Sequence, residues 1–472
     1  DEISAIDNLD TFRSNAGGTI RLADGGAGDV LRIDADAADV DGDGTGNFEA
    51  NGGTVELDVV LGGDGSAADQ LDISGDVTLD GAPTGLLVNP VGAGAGGETT
   101  TGIEVVSVGG SSDAGAFTLA RPVEVGLLAY DLSLGQCDDT ADQNWYLCYT
   151  DRIGTTGAVF EALPGALLGS FGQVDPLHER LGSRTRSAGL AGEDDSLAAQ
   201  AVGPWIRAWG DRSDITPDTS SAGAVIETDR SGFEAGLGVV VGAPAGGELI
   251  GGVTLRHGQM ESDVANPVGT GTIDAEGTGV GLSLSWFGAS GLYVDMVAAR
   301  DEVTVDARSQ GGGELLDGYD THVLSASGEV GQRVSLGDGL TVVPQAQLSW
   351  AEIGDARFED ALGNRVELED RDRVTGRLGV SVEQAFADGA WGEGEVYGFG
   401  NLMHDFREER SVMVGDTRLT QSGGGSWAEI GGGVSVRTDA LTEVYGQVSY
   451  REAVAEVEGD AMAVSAGLRV QW

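Results

Sequence analysis

Positive charge is scarce in this chain: 26 Lys and Arg face 77 Asp and Glu, for a net charge of −51. Such a surface repels phosphate backbones, which excludes nucleic acid as a partner. It fits a solvated, self-repelling exterior of the kind found in proteins from salty surroundings. Cysteine is nearly absent. The only two, Cys137 and Cys148, bracket an acidic turn, CDDTADQNWYLC. They read as a small disulfide loop closed in an oxidising compartment or as two buried thiols, and a neighbouring hairpin pattern favours the disulfide. Long hydrophobic runs are missing. No stretch of about 18 apolar residues occurs, so no transmembrane helix is expected. A chain of this kind enters a membrane only as a closed β-barrel, the other way to satisfy backbone groups in lipid. Catalytic signatures are missing as well: there is no G-x-S-x-G, H-E-x-x-H, P-loop or CxxC. The four histidines, His178, His257, His322 and His404, are scattered without a Ser/His/Asp grouping. No enzyme is expected here. The chain opens DEISAIDNLDTF, without a signal-peptide pattern, as a mature chain or a fragment would.

What is abundant is glycine, 80 residues against 10 prolines, without low complexity. That composition suits many short strands and tight turns. Residues 1–150 repeat short apolar–polar strands between Gly/Asp/Asn turns, as in GGTIRLADGG, GGTVELDVVLGGDG and DQLDISGDVTLDG. The spacing predicts a parallel β-solenoid whose rungs stack Ile, Leu and Val inward, with a β-sandwich as the plainer alternative. Asp39, Asp41 and Asp43 resemble the start of a calcium loop. Position twelve holds Ala50, with Glu49 one place early, so the bidentate ligand is missing and calcium is a weak expectation beside an acidic turn.

Residues 151–202 form a linker carrying the one long helical pattern. Val159, Leu163, Leu167, Leu168 and Phe171 recur at about the helical period over Gly157–Leu181. Thr155 and Thr156 are placed to cap its start. Gly165, Gly169 and Gly172 weaken it, and Pro176 either kinks it or begins a second helix. An amphipathic interdomain helix is the plain reading.

From 203 to 472 the strands lengthen and alternate strictly. In the last, Met462, Val464, Ala466, Leu468, Val470 and Trp472 share one face against Ala463, Ser465, Gly467, Arg469 and Gln471. GTGVGLSLSWFG, GLYVDMVA, VPQAQLSW and SWAEIGGGVSVR repeat the pattern. Apolar-out, polar-or-small-in alternation over about ten residues marks an outer-membrane strand. Twelve strands are expected, near 203–214, 230–243, 247–262, 273–289, 291–307, 319–336, 340–355, 372–386, 391–408, 417–438, 441–456 and 461–472. Short turns such as GASG and LGDG alternate with long polar loops, the pattern of one closed barrel. The inward polar residues Arg207, Glu234, Asp295, Glu329, Arg377, Glu429, Arg437 and Arg469 are candidates for lining the lumen and gripping Glu179 and Arg180 of the helix. A solvated, self-paired interior explains them equally.

Several of these stretches, taken in order, resemble the pertactin-like autotransporter family. DQLDISGDVTL (Asp69–Leu79), GIEVVSV (Gly102–Val108), GAFTLARPVEVGLLAYDLSL (Gly115–Leu134) and NWYLCY (Asn144–Tyr149) resemble the end of its exported passenger. LHERLG, with Leu177, Glu179 and Arg180, resembles its linker helix. WIRAWG, GLYVD, SGEVGQRV, VPQAQLSW, GRLGV and WAEIGGGVSV resemble its translocator barrel. The resemblance implies an all-β chain: a solenoid segment at 1–150 acting as an autochaperone, a luminal α-helix within 151–202, and a 12-stranded antiparallel transmembrane β-barrel at 203–472. It implies a translocator that anchors in a Gram-negative outer membrane and helps export its own passenger. Lipid, periplasmic chaperones and the barrel assembly machinery are the implied partners. Trp472, with Leu468 and Val470, would be the signal that machinery reads. One subfamily cuts itself at an Asn-Asn pair before the helix motif. Asp175 and Pro176 stand there in this chain, so no such cut is expected. The competing readings are a surface adhesin with the barrel as mere anchor, a porin-like channel, and a soluble all-β binding protein.

Overall fold

The computed structural model describes residues 2–6, 9–34, 46–92, 96–137, 142–181, 203–388, 392–438 and 442–470. It divides into two compact units. The first is Asp1–Gly157 with Asn266–Thr270 and Ser309–Gly313; the second is Ala158–Ala265, Gly271–Arg308 and Glu314–Trp472.

In the first unit the chain passes in turn through three parallel sheets. One holds Ile3–Ile6, Val30–Ile33, Gln70–Ile73 and Ile103–Val108. Another holds Thr11–Asn15, Asn47–Asn51 and Val77–Leu79, and the third Thr19–Arg21, Thr54–Val59, Thr84–Pro90 and Phe117–Leu119. Registered pairing stacks like on like, so Ile6, Ile33, Ile73 and Val108 form a column. Period-two alternation turns the apolar set inward, and Ile33, Phe48, Leu57, Leu71, Ile73 and Leu86 are wholly buried. A ladder of rings, Phe12, Phe48, Phe117 and Trp145, runs through this core at centroid spacings of 5.8, 5.4 and 5.4 Å. Parallel pairing then gives way to an antiparallel meander of Val123–Val125, Leu128–Leu134 and Trp145–Ile153, which adds to the first sheet. Cys137 and Cys148 are joined in a disulfide, at the foot of this meander. Carboxylates tie the connecting loops. Asp69 accepts the N–H groups of Gly28 and Asp29 at 3.0 Å and of Asp58 at 2.7 Å. Asp64 accepts those of Thr100, Thr101 and Gly102 at 2.9 Å each.

The second unit is built on a closed antiparallel barrel. Its twelve strands are Gly203–Pro217, Val225–Gly242, Gly247–Ala265, Thr270–Gly288, Leu292–Ser309, Gly313–Gln332, Leu340–Ile353, Asp372–Asp388, Gly392–Asp405, Ser426–Arg437, Thr442–Ala455 and Val457–Val470. The first pairs with the twelfth over Trp205–Pro217, and the sixth with the seventh, so the sheet has no free edge. The expected alternation is present: Ile206, Leu255, Leu282, Leu348, Leu378, Ile430 and Val464 face outward and exposed, while Arg207, Ser285, Asp295, Gln347, Arg377 and Ser465 are buried inside. On the outer face of the fifth strand, apolar Met296 and Ala298 give way to Arg300, Glu302, Thr304 and Asp306. On the fourth, Leu282 and Val280 give way to Thr278, Glu276 and Asp274. The barrel therefore wears an apolar belt with a sharp polar border.

Two expectations change. The polar stretches 261–277 and 303–320, expected as long loops, are mostly strand: the third to sixth strands run 18 to 20 residues and leave only 266–269 and 310–312 as hairpin tips. The strand expected at 417–438 is two elements. Thr417–Ser422 turns back on Glu409–Val414 through Gly415, whose φ of 60° suits a tight turn, and Ser426 restarts the barrel strand. With Arg357–Glu359 and Arg365–Leu368, that hairpin makes a separate four-stranded sheet. The helical pattern over Gly157–Leu181 is two helices, α1 (Thr155–Ser170) and α2 (Leu177–Leu181), so of the two readings of Pro176 the second helix is the one present.

Candidate functional site in the barrel lumen

Within the second unit, α1 from Ala158 onward is apolar on every side apart from Glu161 and Ser170. Val159, Phe160, Ala162, Leu163, Leu167 and Leu168 are all at least 98% buried. A helix of that kind needs protein on every side, and the barrel supplies it. Phe171, just past the helix, lies over Gly277, where a β-carbon would collide with its ring. Gly172 is equally tight against Ala351. Pro164 lies inside α1 and removes one helical donor. The Glu161 carbonyl takes a hydrogen bond from Gln421 Nε2 (2.9 Å), and the Glu161 carboxylate accepts the Ala222 N–H (2.8 Å).

A helix end leaves carbonyls without partners, and cations are favoured there. The barrel wall meets this need with a collar of donors. Arg230 donates to the Gly169 carbonyl, Arg256 to that of Gln173 (3.5 Å) and Gln347 to that of Val174 (3.1 Å). Further along, Arg207 donates to the Glu179 carbonyl (3.2 Å) and the Tyr445 hydroxyl to that of Arg180 (3.1 Å).

Charge pairs add a second grip. Arg207 bridges Asp175 and Glu234, the latter at 2.9 Å. Glu234 meets Arg256 at 3.4 Å, and Arg256 meets Asp301 at 3.5 Å. Arg180 is ion-paired with Asp295, which also accepts from the Ser285 hydroxyl. Glu329 accepts the Leu177 N–H (3.1 Å), the Arg377 guanidinium (3.1 Å) and the Tyr293 hydroxyl (2.5 Å). Leu177 itself packs among Trp205, Ile250, Phe287, Tyr293 and Val343.

Of the eight inward residues named from the sequence, Arg207, Asp295 and Glu329 bond the helical segment directly. Glu234 holds Arg207 and Arg377 holds Glu329, while Asp295 is held by the Ser285 hydroxyl. Glu429 stands one step further off, accepting from Asn401 at 2.7 Å. Arg437 and Arg469 pair with Glu393 and Glu443 on the barrel wall. Glu179 is held through its carbonyl rather than its carboxylate, which borders a cavity of about 170 Å³ together with Arg207, Glu234 and Glu429. Leu468 faces outward and Val470 is half-buried, while Trp472 lies outside the described residues. So do Asp39, Asp41 and Asp43; among the described residues no group of three His, Cys, Asp or Glu is placed to hold a metal ion. Sequence reasoning missed Asp175, Arg230, Arg256 and Tyr445 as helix contacts. The last three share the inward parity, so alternation alone would have included them. It also missed His178, whose ring packs edge-on against Phe399 (5.3 Å) and Tyr397 (6.0 Å). What the arrangement does chemically is hold: donors and counter-charges converge on one peptide segment.

Comparison with known proteins gives the following. A family model described as Autotransporter beta-domain matches residues 204–449, just over half of the chain. One described as Autochaperone Domain Type 1 matches residues 32–133. The "Adhesin BmaC autotransporter" of Brucella suis is 30% identical over 90% of the chain, which spans 13% of that protein's length. The Escherichia coli protein YdeU is 26% identical over 85% of the chain and 92% of its own length. The pertactin autotransporter of Bordetella bronchiseptica is 26% identical over 58% of the chain and 29% of its own length. Among solved structures, the transport unit of the autotransporter AIDA-I from Escherichia coli superposes with a TM-score of 0.50 at 17% identity, covering 61% of this chain and 94% of that one. At that identity the likeness is one of fold.

Proposed function

The chain belongs to the autotransporter family, and from that premise we propose that it anchors itself in the outer membrane and helps carry its own N-terminal passenger to the cell surface. The observation that carries this reading is the closed barrel with an exposed apolar belt, whose lumen is filled by the helix preceding its first strand. Closure removes every sheet edge and the belt matches a lipid interior, which places the barrel in the outer membrane of a Gram-negative bacterium. Residues 1–150 are the terminal solenoid of the passenger and act as its autochaperone, a reading supported by the matching family model over 32–133. Lipid, periplasmic chaperones and the barrel assembly machinery are its partners during insertion. The work is mechanical, done by binding and holding, and no reaction is assigned to these residues.

The test is display. Cells expressing the full chain should present residues 1–150 to an antibody and to added protease without permeabilisation. Detection only after the outer membrane is breached would end the translocator reading. A second reading, surface adhesion, draws support from the printed name of the Brucella relative. Displaying cells should then adhere to a host or matrix surface, and adhesion should vanish when residues 1–150 are shaved off.

A further inference from the structure

Glu124 lies in the short strand Val123–Val125 and is 5% exposed. Its carboxylate accepts from the N–H groups of Thr155 (2.5 Å) and Thr156 (3.1 Å) and from their hydroxyls at 2.9 and 2.6 Å. The Ser309 hydroxyl adds a fifth donor at 3.4 Å. All of these residues belong to the first unit. Thr155 and Thr156 are the first residues of α1, so a carboxylate 31 residues upstream occupies that helix's N-terminus.

A helix is usually capped by the residue just before it. Here that residue is Gly154, which has no side chain to offer. A β-carbon on Gly154 would strike the Glu124 carboxylate, and so would one on Gly311. The hairpin tip reinforces the arrangement: Gly311 N–H donates to the Thr155 hydroxyl (3.1 Å), and the Ser309 and Thr156 hydroxyls lie 3.0 Å apart. Among the described residues no Arg or His forms an ion pair with Glu124. Helix N–H groups and hydroxyls stand in for a counter-charge. A carboxylate buried in this way is costly until all its donors have gathered, so the contact forms as a set.

We propose that Glu124 is a positioning residue that latches the Val123–Leu134 hairpin of the closing meander to the start of α1, closing only once that meander has folded. The idea rests on the translocator reading: closure of the latch marks the end of export and fixes the emerging stem. An open latch leaves Trp145–Ile153 tethered but free to fray.

The chain's 26 basic residues are all arginine, so trypsin cuts only there. Arg152 is exposed and lies three residues before the capped pair. The full-length protein on intact cells is treated with trypsin, and the peptide ending at Arg152 is followed by mass spectrometry. Glu124→Ala should raise its rate of appearance about tenfold, in line with the loss of one helix cap, and Glu124→Gln, which keeps one acceptor, should fall between. Surface display of residues 1–150 and heat-modifiable mobility of the barrel should not change. A Glu124→Ala rate equal to that of the parent overturns the latch. Should Glu124→Ala fail to fold, Thr156→Val, which removes one hydroxyl donor, should still raise the rate several-fold, and no rise is equally fatal. Failure of the translocator reading would show separately as absent display in the parent chain, and the same digestion of detergent-purified protein would still test the latch.

Discussion

Arg207 is 2% exposed, yet it is bonded to Asp175, Glu234 and the Glu179 carbonyl at once. Removing one member of a buried charge set strands the others, at a cost of about 3–5 kcal/mol. Arg207→Ala should therefore lower the urea stability of the vesicle-inserted barrel by that order. Arg300→Ala, which breaks the exposed pair with Glu302, should cost under about 1 kcal/mol. Equal losses would show that the luminal pairing carries no special weight. At Asp64, the Thr100 hydroxyl and then the N–H groups of Gly102, Thr100 and Thr101 hold the carboxyl well below the usual carboxylate range. A depressed folded value means that the stabilisation is complete above the unfolded value of about 4. It is lost as pH falls toward and through the folded one. Hydrogen exchange at Thr100–Gly102 should accelerate, relative to its intrinsic rate, as pH drops below about 4. In Asp64→Asn that extra dependence should disappear. Parity along a strand made Arg207, Asp295 and Glu329 legible in the sequence. Parity gives the face and not the height, which is why Arg437 and Arg469 were grouped with them although they pair with Glu393 and Glu443 beside the short turns.

The periodicity of Val159, Leu163, Leu167 and Leu168 located α1, and Pro176 marked the start of α2, where its carbonyl accepts from the Glu179 and Arg180 N–H groups at 3.1 Å each. The nonhelical link between the two was hidden, because its carbonyls are satisfied by Arg256 and Gln347 from strands far away in sequence. Gln421, from a distant hairpin, likewise donates to the Glu161 carbonyl in the turn that holds Pro164. The same distance hid the separate four-stranded sheet, whose members Arg365–Leu368 and Glu409–Val414 pair across 44 to 48 residues. Barrel closure, by contrast, runs entirely through strand pairs and uses neither helix. Deleting residues 158–186 should therefore leave a folded, heat-modifiable barrel while its conductance in planar bilayers rises steeply above that of the intact chain. Equal currents before and after the deletion would remove the plug role. Large steady currents from the intact chain would favour the porin reading instead.

On the scale of the whole molecule, a net charge of −51 and a membrane-embedded barrel are compatible because the acids avoid one zone. The outward faces of the third, fourth and fifth strands change from Leu255, Val280 and Ala298 to His257, Thr278 and Arg300 within one residue pair each. Acids then crowd the projecting wall at Glu261, Asp274, Glu276, Glu302 and Asp306. Lipid explains the border: a charge in hydrocarbon costs energy with depth, whereas one above it sits in water. The fifth strand tests this on a single face. Met296 is 50% exposed within the belt, and Thr304 is exposed eight residues on, with the same parity and beyond the border. Met296→Arg should destabilise the barrel by about 2–4 kcal/mol in equilibrium unfolding from lipid vesicles. Thr304→Arg should change it by less than about 0.5 kcal/mol, as an ordinary surface substitution does. The contrast should shrink in detergent, where the belt is covered by a pliant micelle rather than a bilayer of fixed thickness. Equal effects at the two positions in vesicles would mean that the apolar border is not the membrane surface, and the third to sixth strands would then have to be placed in lipid along their whole length.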